Sequence, residues 1–151
     1  MASAQETAWA RRANDAWEAL LGAHSALMKQ LTAADAWDEI SIKEYDVLYS
    51  LSKCEAPQRL SELHQHVLLS QPALSRLVDR LVTRGLLARR PDPEDRRATR
   101  LSLTDEGRKV QRRVGRRHAV DVAGAMRARL DRDEIAQLER LCRKLSEGTN
   151  P

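Results

Sequence analysis

The stretch Ser61–Leu103, SELHQHVLLSQPALSRLVDRLVTRGLLARRPDPEDRRATRLSL, decides the fold. Ser61 reads as the cap of a short helix over 62–67, Leu68-Leu69 as a turn, and Ser70 as the cap of a second helix over 71–84. In that second helix Leu74, Leu77, Val78 and Leu81 recur at i, i+3, i+4 and i+7, which is one apolar face. Pro72, Ser75, Arg76, Asp79, Arg80 and Thr83 lie on the opposite arc. Pro72 falls in the first turn, where its missing N–H costs little, and Gly85 is placed to end the helix in a left-handed conformation. Two short helices joined by a tight turn, the second with a small and polar N-terminus, make a helix-turn-helix. Leu86–Pro91 and Ala98–Leu103 then read as extended runs around a charged tip with Pro93 in it, a β-hairpin over 86–103.

Working outward, residues 5–35 form one long helix by pattern. Trp17, Leu20, Leu21, His24, Leu27, Met28 and Leu31 fall on a single stripe. Thirty residues span about 45 Å, longer than the small domain they pack on, so one flank meets another chain. A further helix runs from Ser41 to Lys53, with Ser41 and Glu44 as a capping box, and Arg59-Leu60 is a candidate short strand. After the hairpin, Thr104-Asp105-Glu106 opens a helix carrying Val110, Val114, His118, Val122, Met126 and Leu130 on one stripe. Asp131 with Glu134 opens the last helix, with Ile135, Leu138, Leu141, Cys142 and Leu145 expected inward. The fold class is mainly α (α+β), in the order α-α-β-α-α-β-β-α-α. It reads as a single domain over 1–151, with a core over 41–104 and long flanking helices over 5–35 and 105–147.

Charge is unevenly spread. Residues 1–58 carry 5 Lys/Arg against 9 Asp/Glu, residues 59–100 carry 9 against 5, and residues 101–151 carry 12 against 8. All nine cations of the middle segment are arginine. All five aromatic residues, Trp9, Trp17, Trp37, Tyr45 and Tyr49, precede position 50. A chain so built lacks the base-stacking platforms of single-strand binders, and its arginines suit the backbone and groove edges of a duplex. With 32% charged residues, no apolar run of spanning length and a start, MASAQETAW, without a basic leader, it reads as cytoplasmic and not bound to a membrane.

The span Tyr45–Arg108 resembles the MarR family of winged helix-turn-helix transcription regulators. Two motifs carry the likeness: LSQPALSRLVDRLVTRGLL, similar to the family's recognition helix, and DPEDRRATRLSLTDEGR, with Asp95 and Arg97 as an Asp-x-Arg wing element followed by Leu-Thr and Gly-Arg. The resemblance implies a homodimer built by the terminal helices. That dimer would bind a pseudo-palindromic operator as a repressor and release it to a small molecule. It makes 71–84 the recognition helix and 86–103 the wing. Arg97 resembles the family arginine that enters the minor groove, with Asp95 holding its guanidinium in a fork-like pair.

Within that frame, Ser70 and Gln71 at a helix N-terminus are natural phosphate or base contacts. Arg76, one turn in, is the candidate direct reader, with Ser75 and Gln71 secondary, Arg80 beside them, and Pro72 or Ala73 placed for thymine methyls. The alternative for Arg76 and Arg80 is a solvated face with Asp79 or the backbone as partner. Arg89, Arg90 and Arg96 suit phosphates. The basic run Arg108, Lys109, Arg112, Arg113, Arg116 and Arg117 either grazes DNA, pairs with the acidic first segment of a partner chain, or is a solvated face. A rival reading is a winged-helix protein–protein module whose arginines bind an acidic partner.

No catalytic constellation, cofactor motif or metal-ligand spacing is present. His64 and His66 sit about 200° apart on a helix and cannot share a metal. His24 and His118 each interrupt an apolar stripe, either as satisfied core or interface residues or as pocket residues. Trp17, His24, Met28, Tyr45, Tyr49 and His118 form the candidate effector pocket, between the long helices and the core, for a small aromatic or acidic compound. Of the two cysteines, Cys142 reads as buried and inert. Cys54 reads as lacking the electropositive surroundings that activate a thiol.

Overall fold

The computed structural model describes residues 3–147. The described chain runs α1 (Ala4–Thr32), a 3-10 turn (Asp35–Trp37), α2 (Ile42–Ser52), β1 (Gln58–Arg59), α3 (Leu60–His64), α4 (Gln71–Thr83), β2 (Leu87–Pro91), β3 (Thr99–Leu103), α5 (Asp105–Arg127) and α6 (Arg132–Ser146). It forms two compact units, residues 35–119 and the segments 3–34 with 120–147, and α5 contributes to both.

The first unit is a winged helix-turn-helix. Its core takes Leu48 from α2, Leu63 from α3, Leu74 and Leu81 from α4, Leu87 and Leu101 from the sheet, and Val110 and Val114 from α5, all essentially inaccessible. Each such side chain contributes about 1.5–3 kcal/mol by leaving water, so the apolar stripes read from the sequence also set the packing. The strands order β1-β3-β2, antiparallel throughout, with Gln58 opposite Leu101 and Arg89 opposite Leu101 on the other side.

Helix ends follow local chemistry. Ser41 Oγ accepts the Glu44 N–H at 3.2 Å, and Glu44 returns the bond to the Ser41 N–H at 2.8 Å. Ser70 Oγ accepts the Ala73 N–H at 3.3 Å, and α4 ends before Gly85, whose φ of 72° is the left-handed turn expected there. The entry to α3 departs from the expected Ser61 cap. Glu62 takes the Arg59 N–H at 2.7 Å, so the helix begins at Leu60 and Ser61 lies inside it. His64 Nε2–H donates to the Leu69 carbonyl at 2.8 Å and ties the end of α3 to the turn before α4.

Thr104 joins wing to helix. Its hydroxyl donates to the Gly85 carbonyl at 2.6 Å and accepts the Gly107 N–H at 3.0 Å. The first turn of α5 lies so close to the Leu86 backbone that only glycine fits at position 107, since a Cβ there would stand 2.0 Å from the Leu86 oxygen.

In the second unit, α1 is capped by Ser3 and Glu6, and α6 by Asp131 and Glu134. Neither helix buries a residue fully. The expectation that Leu138, Leu141, Cys142 and Leu145 point inward is corrected: Leu141 is 44% and Leu145 67% exposed, and Cys142 is exposed. The stripe exists, but no described segment of this chain covers it. Trp17, Leu20 and Leu21 of α1 are likewise uncovered. A cavity of about 290 Å³, lined by Leu27, Met126, Leu130 and Leu138 with Gln30 and Arg129, lies within this unit.

Candidate nucleic-acid interface

The face of α4 opposite its core residues is set out as the sequence pattern requires. Ser70, Gln71, Pro72, Arg76 and Arg80 are exposed, while Ala73 and Ser75 are half-buried. Asp79, the obvious intrahelical partner for the neighbouring arginines, is instead engaged by the Arg89 guanidinium from β2. Among the described residues neither Arg76 nor Arg80 has an ion pair or side-chain hydrogen bond, so both guanidiniums keep all their donors for a ligand. Arg89 faces α4 because it sits opposite Leu101, on the core side of the sheet, and one of its donors is used by Asp79.

The wing is organised around a residue that the sequence reading passed over. The side chain of Asp92 is fully buried at the start of the tip. It accepts the Arg59 Nε–H at 2.7 Å and the Arg100 Nε–H at 2.8 Å. The backbone N–H groups of Glu94 and Asp95 also donate to it, at 2.8 and 3.2 Å. The Arg59 hydrogen bond above all, with those other donors and against the opposing effect of burial, holds its carboxyl well below the usual carboxylate range. The only signal in the sequence was an Asp before Pro93, which reads equally well as an ordinary turn residue.

Asp95 does not grip the Arg97 guanidinium. It accepts the Arg97 backbone N–H at 2.9 Å, because a carboxylate two residues back reaches the main chain more readily than the end of a long side chain. The side chains of Arg96 and Arg97 at the tip, and of Arg90 on β2, are exposed and carry no ion pair among the described residues.

The basic run on α5 divides in two. Arg113 makes a two-pronged pair with Glu39 at 2.6 and 3.1 Å, and Arg117 pairs with Asp38 at 2.9 Å and reaches the Asp35 carbonyl. Lys109 lies 3.7 Å from Glu106. The acidic segment thus engages this run within one chain. The Arg117 hydrogen bond lowers the Asp38 pKa, and the Glu39 bond raises that of Arg113.

Of the six expected pocket residues, Tyr45, Tyr49 and His118 come together, joined by Trp37, which the sequence reading left out. Trp37 lies 5.0 Å and Tyr45 5.3 Å from the His118 ring, and Tyr45 stacks on Tyr49 at 5.7 Å. The His118 Nδ1 is buried without a hydrogen-bond partner among the described residues. Burial pushes the Tyr45 hydroxyl up. Trp17 and His24 are exposed on α1, and Met28 lines a shallow hollow there with Ser25 and Thr32. Among the described residues no three His, Cys, Asp or Glu side chains are grouped to hold a metal, and no helix is long and apolar enough to cross a membrane.

The MarR family model matches residues 40–99, which run from two residues before α2 to the first residue of β3. The multiple antibiotic resistance protein MarR of Salmonella typhimurium is 30% identical over 107 residues, 71% of this chain and 74% of that protein. Among solved structures, the MarR-family regulator Sco3205 of Streptomyces coelicolor, in complex with DNA, superposes with a TM-score of 0.75. It is 26% identical, and the match covers 100% of this chain and 91% of that one. The PcaV transcriptional regulator of the same organism, in complex with its natural ligand, gives a TM-score of 0.66. Its identity is 30%, over 99% of this chain and 100% of that one.

Proposed function

We propose, from the premise that this chain belongs to the MarR family, that it is a DNA-binding transcriptional regulator and not an enzyme, acting as a two-fold dimer that represses until a small effector releases it. One observation carries the DNA reading: Asp79 is occupied by Arg89, leaving Arg76 and Arg80 with every donor free on the exposed face of α4. An arginine so placed bonds both acceptors of a guanine edge in the major groove.

In this reading Ser70 and Gln71 meet the backbone at the helix N-terminus, Ser75 assists, and Pro72 and Ala73 meet methyl groups. Arg97 enters the adjacent minor groove while Arg90 and Arg96 contact phosphates. Asp95 shapes the tip through the Arg97 backbone. The wing reaches DNA as a rigid element because Asp92 ties its base together. The DNA complex of Sco3205 supports the assignment of partner.

Dimerisation is supported by the open apolar stripes of α1 and α6, whose burial requires a second surface. A two-fold pair would meet half-sites centred about 34–36 Å apart on a pseudo-palindromic operator. For the effector, a small aromatic or acidic compound, the support is the Trp37–Tyr45–Tyr49–His118 cluster with its unsatisfied imidazole nitrogen, together with the ligand complex of PcaV. A cytoplasmic location belongs to the same reading.

The test is binding to a duplex library at fixed salt, followed by a salt titration. Selection of a palindromic site, with affinity falling at least tenfold between about 50 and 200 mM salt, is the expected result. A flat salt response or no sequence preference refutes it.

A further inference from the structure

Beside the three-stranded sheet lies a cavity of about 280 Å³ that shares only Arg90 with the DNA-binding reading. Its walls come from the end of α2, the segment leading to β1, the two wing strands and the first turn of α5. Polar groups dominate the lining: Arg90 from β2, Ser102 from β3, Arg108 from α5, and Cys54 with Glu55 after α2. Arg90 stands opposite Arg100 across the hairpin, which places it on the face away from α4. Unlike Arg100, which is held by Asp92, neither Arg90 nor Arg108 has a carboxylate within ion-pair distance among the described residues. Two arginines thus line one recess with Glu55 as its one acidic residue, beside Leu51, Ala56, Pro57, Leu101 and Leu103.

We propose that this recess is a binding site for a small oxyanion of the phosphate class. Two arginines supply forked donors for tetrahedral oxygens, and the Ser102 hydroxyl adds a third donor. The volume suits a phosphate or a compact phosphate monoester. The polar lining disfavours a large aromatic acid, which separates this site from the cluster of Trp37, Tyr45, Tyr49 and His118. Cys54 lines the same recess as both arginines and Glu55. Its half-buried thiol donates to the Ser50 carbonyl at 3.3 Å, and it reports on occupancy.

Arg90 belongs to the wing, so an anion held here and a DNA phosphate compete for one guanidinium. That consequence rests on the DNA-binding reading, whereas the site itself does not.

The experiment is alkylation of the full-length protein with iodoacetamide, followed peptide by peptide, with inorganic phosphate added at constant ionic strength against chloride. Cys54 labelling slows roughly tenfold when phosphate stands at about ten times its dissociation constant, while Cys142, outside the recess, keeps the rate it has without phosphate. Arg108→Gln and, separately, Ser102→Ala weaken that protection. Unchanged Cys54 labelling, or equal slowing of both cysteines, overturns the site. Protection by duplex DNA but not by phosphate also overturns it, because the recess would then be a backbone contact. In a gel shift at matched ionic strength, phosphate weakens the wild-type complex more than chloride does, and equal weakening rejects the competition. Absence of any shift counts against DNA binding and leaves the labelling result standing.

Discussion

The Asp92 carboxylate, with no exposed side-chain surface, accepts the Arg100 Nε–H at 2.8 Å, and the same oxygen accepts the Arg59 Nε–H from β1. One acid therefore joins the strand before the helix-turn-helix to both sides of the wing. Removing it leaves two guanidiniums facing each other without their counter-ion. Asp92→Asn is expected to loosen the wing and lower DNA affinity without changing the bases preferred by α4. The pH dependence has a definite sign. A carboxyl lowered in the folded protein stabilises it fully above about pH 4, the unfolded value, and that contribution is lost as pH falls toward the lower folded value. Urea unfolding of wild type and Asp92→Asn should thus differ most at neutral pH and converge in strong acid. A gap that stays constant down to acid pH contradicts this.

Gly107 and Gly22 give opposite outcomes for the same substitution. A methyl group at position 107 meets the Leu86 carbonyl, which is backbone and has nowhere to go, so Gly107→Ala costs about 3 kcal/mol or more. At Gly22 nothing lies within 4 Å, and Gly22→Ala in α1 gains about 0.8–1 kcal/mol of helix propensity. Denaturant midpoints of the two variants check both. A loss at position 22 would mean that a second chain approaches α1 there.

The Asp79–Arg89 pair predicts a trade between specific and general binding. Asp79→Ala frees Arg89 for a phosphate, which steepens the log–log salt slope by about 0.9 per protomer and raises affinity for unrelated duplexes. Arg76→Ala lowers discrimination by about 1–3 kcal/mol at one base position per half-site. Arg97→Ala weakens binding to most sequences alike. Library binding at fixed salt separates the three, and an unchanged preference in Arg76→Ala removes it from the readers.

The open stripe of α6 predicts an assembly. Leu141→Glu places a charge in the middle of that face and should shift sedimentation from dimer to monomer while leaving the fold of residues 35–119 intact. DNA affinity then falls by far more than one lost phosphate contact accounts for, because half-sites are no longer bound together. A Leu141→Glu protein that still sediments as a dimer rejects α6 as the interface.

Periodicity and capping residues placed α2 and α4 and named their inward faces, whereas α3 begins two residues before the expected start. Leu74, Leu77, Val78 and Leu81 are buried as a 3.6-residue repeat demands, and the serine caps at 41 and 70 hold the bonds expected of them. Local chemistry of that kind is legible because each residue's partner lies within one turn. The pairs that organise the site are of another kind. Asp92 with Arg59 spans 33 residues, and Asp79 with Arg89 joins a helix to a strand. From the chain alone Asp95 was as plausible a partner as Asp92, and Asp79 as available to Arg76 as to Arg89. Only the packed sheet decided between them, because burial and cross-strand register determine which carboxylate a guanidinium can reach.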